Sequence, residues 1–178
     1  IFPVISRSKC EAANMNEGAM QERIVLCRTP DEIQALLERF HMVLPSLKRG
    51  KAFRAAMAEK FFQHGKVVFI PEDGRAVGFA AFYCNDHVER KGYLSMIAVY
   101  PDMQGKGCGK ELLTYVEHTA KDCGMRTVWL EVSKANGSAR SFYRKNGYVP
   151  VEMRPESMIC AKKLENASDE WTEDTHDV

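Results

Sequence analysis

The residues with the clearest chemical capacity lie in one run, Gln104-Gly-Lys-Gly-Cys-Gly-Lys110, between a β-rich stretch and an amphipathic one. Glycines at such a junction let the backbone approach a ligand closely, and the first amides of the following helix have no partner within it. With the helix dipole and the cations Lys106 and Lys110, the run suits a phosphate or pyrophosphate. Two familiar nucleotide loops do not fit. A Walker A loop anchored on Gly109-Lys110 needs glycine at Gln104 and Ser or Thr at Glu111, and a dinucleotide fingerprint started at Gly105 or Gly107 needs a third glycine at Lys110 or Leu112. What remains is Gln104-x-x-Gly107-x-Gly109, in which Cys108 reads as a spacer.

The elements that must hold this loop follow from periodicity and turn chemistry. The residues 22–28 read as a strand, and Pro30-Asp31-Glu32 opens a helix with proline and acids in its first turn. That helix carries Ile33, Leu36, Leu37 and Phe40 on one stripe, and a second is expected over about 47–63. Strands over 66–71 and 76–84 flank Asp73-Gly74, a hairpin signal, and a third runs from Gly92 to about Tyr100, stopped by Pro101. Leu112, Leu113, Val116, Ala120 and Cys123 define an amphipathic helix over 107–123 capped by Gly124. A strand at 127–132, a short helix at 138–146 with Ser138 as its cap, and strands near 149–153 and 158–163 complete the order β-α-α-β-β-β-α-β-α-β-β.

Composition bounds what this arrangement can be. The chain has 178 residues, is 45% hydrophobic and 28% charged, and carries a formal net charge of +1, which describes one ordinary globular domain. The sum hides an asymmetry. Residues 165–178 hold six acids and no Lys or Arg, so residues 1–164 carry 25 bases against 18 acids. That basic body suits a small polyanion, and the near-neutral total argues against a nucleic-acid partner. No apolar run approaches the ~20 residues of a bilayer span, so no membrane partner and a cytoplasmic location are expected. The six cysteines form no C-x-x-C pair or Cys/His ligand spacing, so they are expected to be reduced, independent thiols, with no metal. The division expected is an extension over 1–19, flexible or foreign to the domain, a domain over 20–164, and an acidic, disordered tail over 165–178.

Downstream of the loop, Leu130-Glu-Val-Ser-Lys-Ala-Asn136-Gly-Ser-Ala-Arg-Ser-Phe-Tyr143-Arg-Lys-Asn-Gly147-Tyr supplies a strand, an Asn, and a short Tyr-bearing helix closed by glycine. Together with Gln104-x-x-Gly107-x-Gly109, in that order and spacing, this segment resembles the GCN5-related N-acetyltransferases (GNAT superfamily), over about 20–164. The resemblance implies an α/β (α+β) fold: a mixed, mostly antiparallel sheet of about seven strands, splayed before and after the acyl-CoA loop, with about four helices. It also implies direct acetyl transfer from acetyl-CoA to a primary amine in a ternary complex, without metal, by a monomer or homodimer.

Residue by residue, the resemblance places acetyl-CoA against Ile97, Ala98 and Val99 of the strand before the loop, where a bulge frees an amide of Ala98 or Val99 for the thioester oxygen. It adds the loop residues Gln104, Gly105, Lys106, Gly107, Cys108, Gly109 and Lys110, then Asn136 and Ser138. Tyr143 matches the general acid for the leaving thiolate. The strand glutamate that some relatives use as base aligns with Tyr93, which cannot serve. A subset including ribosomal-protein N-terminal acetyltransferases instead has Glu twelve residues before the Tyr, and Glu131 with Tyr143 shows that spacing. Partial burial is expected to make Glu131 an effective base, with a structural role in the splayed strands as the alternative reading and His87 and Asp86 as weaker candidate bases. Tyr83, His87 and Tyr93, with Arg49 and Arg54, are candidates for the acceptor side. A small-molecule amine is the first expectation, a protein or peptide N-terminus or lysine the second, and a non-catalytic acyl-CoA-binding module the reading of another class.

Overall fold

The structure, a computed structural model, describes residues 23–164. The expected extension over 1–19 and acidic tail over 165–178 lie outside the described residues. The elements run β1 (Val25–Leu26), α1 (Pro30–Phe40), a 3-10 turn (Pro45–Arg49), α2 (Lys51–His64), β2 (Lys66–Glu72) and β3 (Arg75–Asp86). Then come β4 (Lys91–Val99), a 3-10 turn (Pro101–Met103), α3 (Cys108–Asp122), β5 (Thr127–Ser133), α4 (Gly137–Lys145), β6 (Val149–Met153) and β7 (Ser157–Lys163). The order expected from the sequence is the order observed.

Local chemistry explains three differences in extent. The first strand shrinks to two residues because the chain turns into α1 at once: Thr29 Oγ1 accepts from the Glu32 amide at 3.2 Å, while Glu32 Oε2 accepts from the Arg28 amide at 2.6 Å. The second helical stretch divides at Gly50, whose φ of 103° no L-residue holds comfortably. The cap of α4 is Asn136 and not Ser138, since Asn136 Oδ1 accepts from the Ala139 amide at 3.0 Å.

All seven strands form one sheet in the order β1-β2-β3-β4-β5-β7-β6, antiparallel except for β4 and β5. Each sheet face carries its own core. On one, α3 inserts Leu112, Leu113 and Val116 against Val68, Phe82, Leu94, Val128 and Leu130, joined by Tyr143 of α4. On the other, Ile33, Leu37 and Phe40 of α1 and Phe61 of α2 meet Val67, Phe79 and Ala81. Arg54 is buried in this second layer, donating to Leu47 O at 2.7 Å and pairing with Glu38 at 2.8 Å. It ties α1, the 3-10 turn and α2 together.

None of the five cysteines among the described residues is in a disulfide. Burial pushes the Cys27 thiol from 9.0 to about 12, and a folded-state value above the unfolded one stabilises the fold only while the group stays neutral. That contribution is complete below pH 9 and is lost as pH rises toward about 12. Cys27→Ala is therefore expected to flatten the decline of unfolding free energy over that interval, as read by urea titration at stepped pH.

Candidate active site

The site begins with a failure of pairing. β4 and β5 pair in parallel only from Lys91↔Thr127 to Leu94↔Leu130, after which the two strands share no further pairs. The divergence coincides with a bulge in β4: Ala81 opposes Met96 and Phe82 opposes Leu94, leaving Ser95 unmatched. Above Leu94, β4 therefore turns one edge toward an opening, whose other wall is Glu131 to Ser133 of β5.

The ladder phase decides which β4 amides face that opening. Tyr100 N donates to Val77 O at 3.0 Å, so the directly opposed pairs Tyr100/Val77 and Ala98/Phe79 exchange hydrogen bonds. Ile97 and Val99, opposite Ala80 and Gly78, belong to the non-bonded pairs and direct N–H and C=O away from β3. Consistently, Val99 O accepts from Gln104 Nε2 at 3.1 Å. The expectation that Ala98 donates an amide to the thioester is thus corrected: that amide belongs to the β3 ladder, and Ile97 and Val99 have the free ones. Ala98 contributes a side chain buried under α1 and α2.

The loop closes the upper end of the opening. Gly105 and Gly107 hold φ of 79° and 90°, with open space where a side chain would stand. The first amide bond of α3 runs from Glu111 N to Gly107 O at 3.0 Å, so the amides of Cys108, Gly109 and Lys110 precede the helical ladder. Nearby acids are neutralised, Glu111 by Arg23 at 3.7 Å and Asp102 by Arg75. Lys110 is exposed, and Lys106 reaches Met103 Sδ at 3.5 Å. The Cys108 side chain is 1% exposed and packs in the α3 core, leaving its backbone to the loop. These features fit a diphosphate: open amides, a dipole and cations, with the nearby acids Glu111 and Asp102 both paired. An L-residue in the left-handed region costs ~1–2 kcal/mol, so Gly107→Ala is expected to weaken acetyl-CoA binding about tenfold by isothermal titration. Gly74→Ala, with the same strain at a φ of 74° in the distant β2–β3 turn, is the control that leaves affinity unchanged.

The two titratable candidates stand on opposite sides of the sheet. Leu130 and Val132 enter the α3 core, so Glu131 between them points to the other face. Tyr143 lies on the α3 side, 9% exposed and 5.8 Å from the Tyr148 ring, and burial pushes its phenol from 10.0 to about 12. One can serve a group on the α3 side of the opening and the other a group arriving from the far side. Asn136 Oδ1 is occupied as the α4 cap, which leaves its amide nitrogen for a ligand.

Glu131 stands at the rim of the opening, partly buried as expected. Its side chain is 38% exposed, accepts a hydrogen bond from Ser157 Oγ through Oε1, and pairs through Oε2 with Arg154 at 3.2 Å. Below it runs a cross-strand row, Tyr83↔Tyr93↔Trp129. Tyr83 stacks on Phe61 at 5.4 Å and Lys91 Nζ lies 4.5 Å over Trp129. Burial, then the charge of Glu131, raises the Tyr93 phenol. His87 is set apart in the β3–β4 turn, below Lys91 and so ~10 Å down the strand from Leu94. Asp86 there accepts from the Glu89 amide at 3.0 Å, a turn-holding role. Arg49 lies 4.3 Å over the Phe53 ring. Ser95, Trp129, Arg154 and Ser157 escaped the sequence reading. Trp129 was within reach, two residues before Glu131 on one strand and hence on its face, whereas Arg154 and Ser157 depend on the register of the last hairpin.

Comparison with known proteins gives the family and the fold. The sequence pattern described as "Acetyltransferase (GNAT) family" matches residues 31–148. A ribosomal protein bS18-alanine N-acetyltransferase of Haemophilus influenzae is 39% identical over 47% of this chain and 54% of its own length. A mycothiol acetyltransferase of Thermomonospora curvata is 30% identical over 53% of this chain and 31% of its own. The chain thus spans about a third to a half of the length of these relatives. Among solved structures, a putative GNAT-family acetyltransferase from Desulfovibrio desulfuricans superposes with a TM-score of 0.66 at 20% identity, over 80% of this chain and 98% of its own. The Thermoplasma acidophilum PaiA N-acetyltransferase, in complex with coenzyme A, gives 0.63 at 19% identity, over 79% and 98%.

Proposed function

The chain belongs to the GNAT family of acetyltransferases, and from that premise we propose that it transfers an acetyl group from acetyl-CoA directly to a primary amine. The supporting observation is the β4–β5 opening, with free Ile97 and Val99 amides on one wall and Tyr143 and Glu131 on opposite faces. The pantetheine arm pairs with β4 as a short extra strand, and the diphosphate rests on Gly105 to Lys110. The Ile97 or Val99 amide stabilises the thioester oxygen as it gains charge. Tyr143 protonates the leaving thiolate, and Glu131 takes the amine proton from the far side, directly or through water.

The acceptor is a small-molecule amine in the first reading. The second, an alanine at a protein N-terminus, draws on the bS18-alanine N-acetyltransferases, 39% and 35% identical to parts of this chain. Comparing kcat/KM for glucosamine with that for an alanine-initiated hexapeptide separates the two. Preference for the peptide by tenfold or more overturns the small-molecule reading. An amine-free amide NMR titration with acetyl-CoA tests the binding mode, with the largest shifts expected at Ile97, Val99 and Gly105 to Lys110.

A further inference from the structure

Arg154 holds two carboxylates at once. Its Nε donates to Glu152 Oε1 at 2.8 Å and its Nη1 to Glu131 Oε2 at 3.2 Å. The two partners share a face, because Glu131 and Glu152 both sit opposite Ile159 of β7, one from each side. Backbone geometry fixes the arginine main chain, Arg154 N donating to Ser157 O at 3.0 Å across the β6–β7 turn, while the side chain is 45% exposed and able to swing. The other groups facing Glu131 are Ser157 Oγ from β7 and the Tyr93 ring from β4.

This arrangement places a cation where the reaction needs a different one. An amine reaches the enzyme at neutral pH as an ammonium, and the carboxylate that is to deprotonate it must first bind that positive charge. Glu131 already carries a guanidinium on Oε2 and a hydroxyl donor on Oε1. A second cation competes with the first for those oxygens, and Glu152 offers Arg154 somewhere to go without losing its ion pair.

We propose that Arg154 is a positioning residue that occupies the ammonium site on Glu131 and is displaced onto Glu152 when the acceptor binds. The proposal rests on the reading of Glu131 as the base. The Glu131–Arg154 pair is solvent-exposed and weak, of the order that changes a binding constant about two- to fivefold, so the exchange is reversible and costs little. Ser157 keeps the carboxylate oriented throughout, and Glu152 sets how readily the arginine leaves.

The test needs no knowledge of the natural acceptor. In protein labelled with 13C at the glutamate carboxyl carbons, the Glu131 signal is followed during titration with n-propylammonium chloride, with sodium chloride at equal ionic strength as control. Arg154→Gln is expected to lower the midpoint about two- to fivefold, Glu152→Gln to raise it by a similar factor, and Arg154→Lys to restore it. Both single effects also follow from bulk charge, so the double variant decides. Displacement makes Glu152→Gln silent once Arg154 is gone, whereas a plain charge effect adds. Additivity, or equal midpoints in all variants, overturns the proposal. Turnover of Glu131→Gln is measured separately. Undiminished activity there removes the base reading, while a diminished activity with additive midpoints removes only the role of Arg154.

Discussion

Tyr143→Phe is expected to lower kcat by roughly 10²- to 10⁴-fold while leaving acetyl-CoA affinity unchanged. The phenol ring is packed against Phe142 and Tyr148, at 5.4 and 5.8 Å, and phenylalanine keeps that packing. What disappears is the proton. Burial pushes the tyrosine to about 12, and against a thiol in water, of pKa ~8.5, such an acid works uphill by about 5 kcal/mol. The leaving thiolate, however, is not in water. The burial that raises the phenol also raises a thiol placed beside it, which narrows the gap the proton must cross. The tyrosine stays protonated well past pH 10, so kcat shows no alkaline loss attributable to it up to that point, and stopped-flow release of CoA measured up to pH 10 checks this.

Glu131→Gln is the second large effect, an expected fall in kcat/KM of about 10²-fold with the acidic limb of the pH–rate profile removed. A base must be unprotonated to act, and glutamine offers no carboxylate to accept the amine proton. Retention of that limb in the variant assigns the base elsewhere. Structural damage is separable from this effect. Glutamine can still accept from Ser157 Oγ, and the side chain is exposed enough that the thermal midpoint is expected to hold.

These roles were partly legible in the sequence. Gly107 and Gly109 stood out from the junction of loop and helix, and Glu131 and Tyr143 from the resemblance, through a spacing of twelve residues between strand and short helix. The stripe Ile33, Leu36, Leu37 and Phe40 was legible for a similar reason, since helical periodicity and burial coincide there. What depended on register was not. The bulge at Ser95 decides which β4 amides face the opening, and it arises from how β4 pairs with β3, which no pattern within β4 announces. Hence Ala98 was named beside Val99, where Ile97 and Val99 have the free amides. Ser138 was named as the cap of the short helix, and the hydrogen bond from the Ala139 amide gives that place to Asn136. Arg154 and Ser157 meet Glu131 only because β6 and β7 fold back on β5. An isolated arginine in a turn carries no such message.

The central claim is that the β4–β5 opening holds acetyl-CoA for transfer and not merely for storage. Release of free CoA thiol from acetyl-CoA, followed over a panel of small amines and alanine-initiated peptides, tests it most directly. Release that depends on an amine, with the acetyl group recovered on that amine and both activities lost together in Tyr143→Phe, is the expected result. Tight acetyl-CoA binding with no release on any amine would make the chain a binding module and contradict the claim.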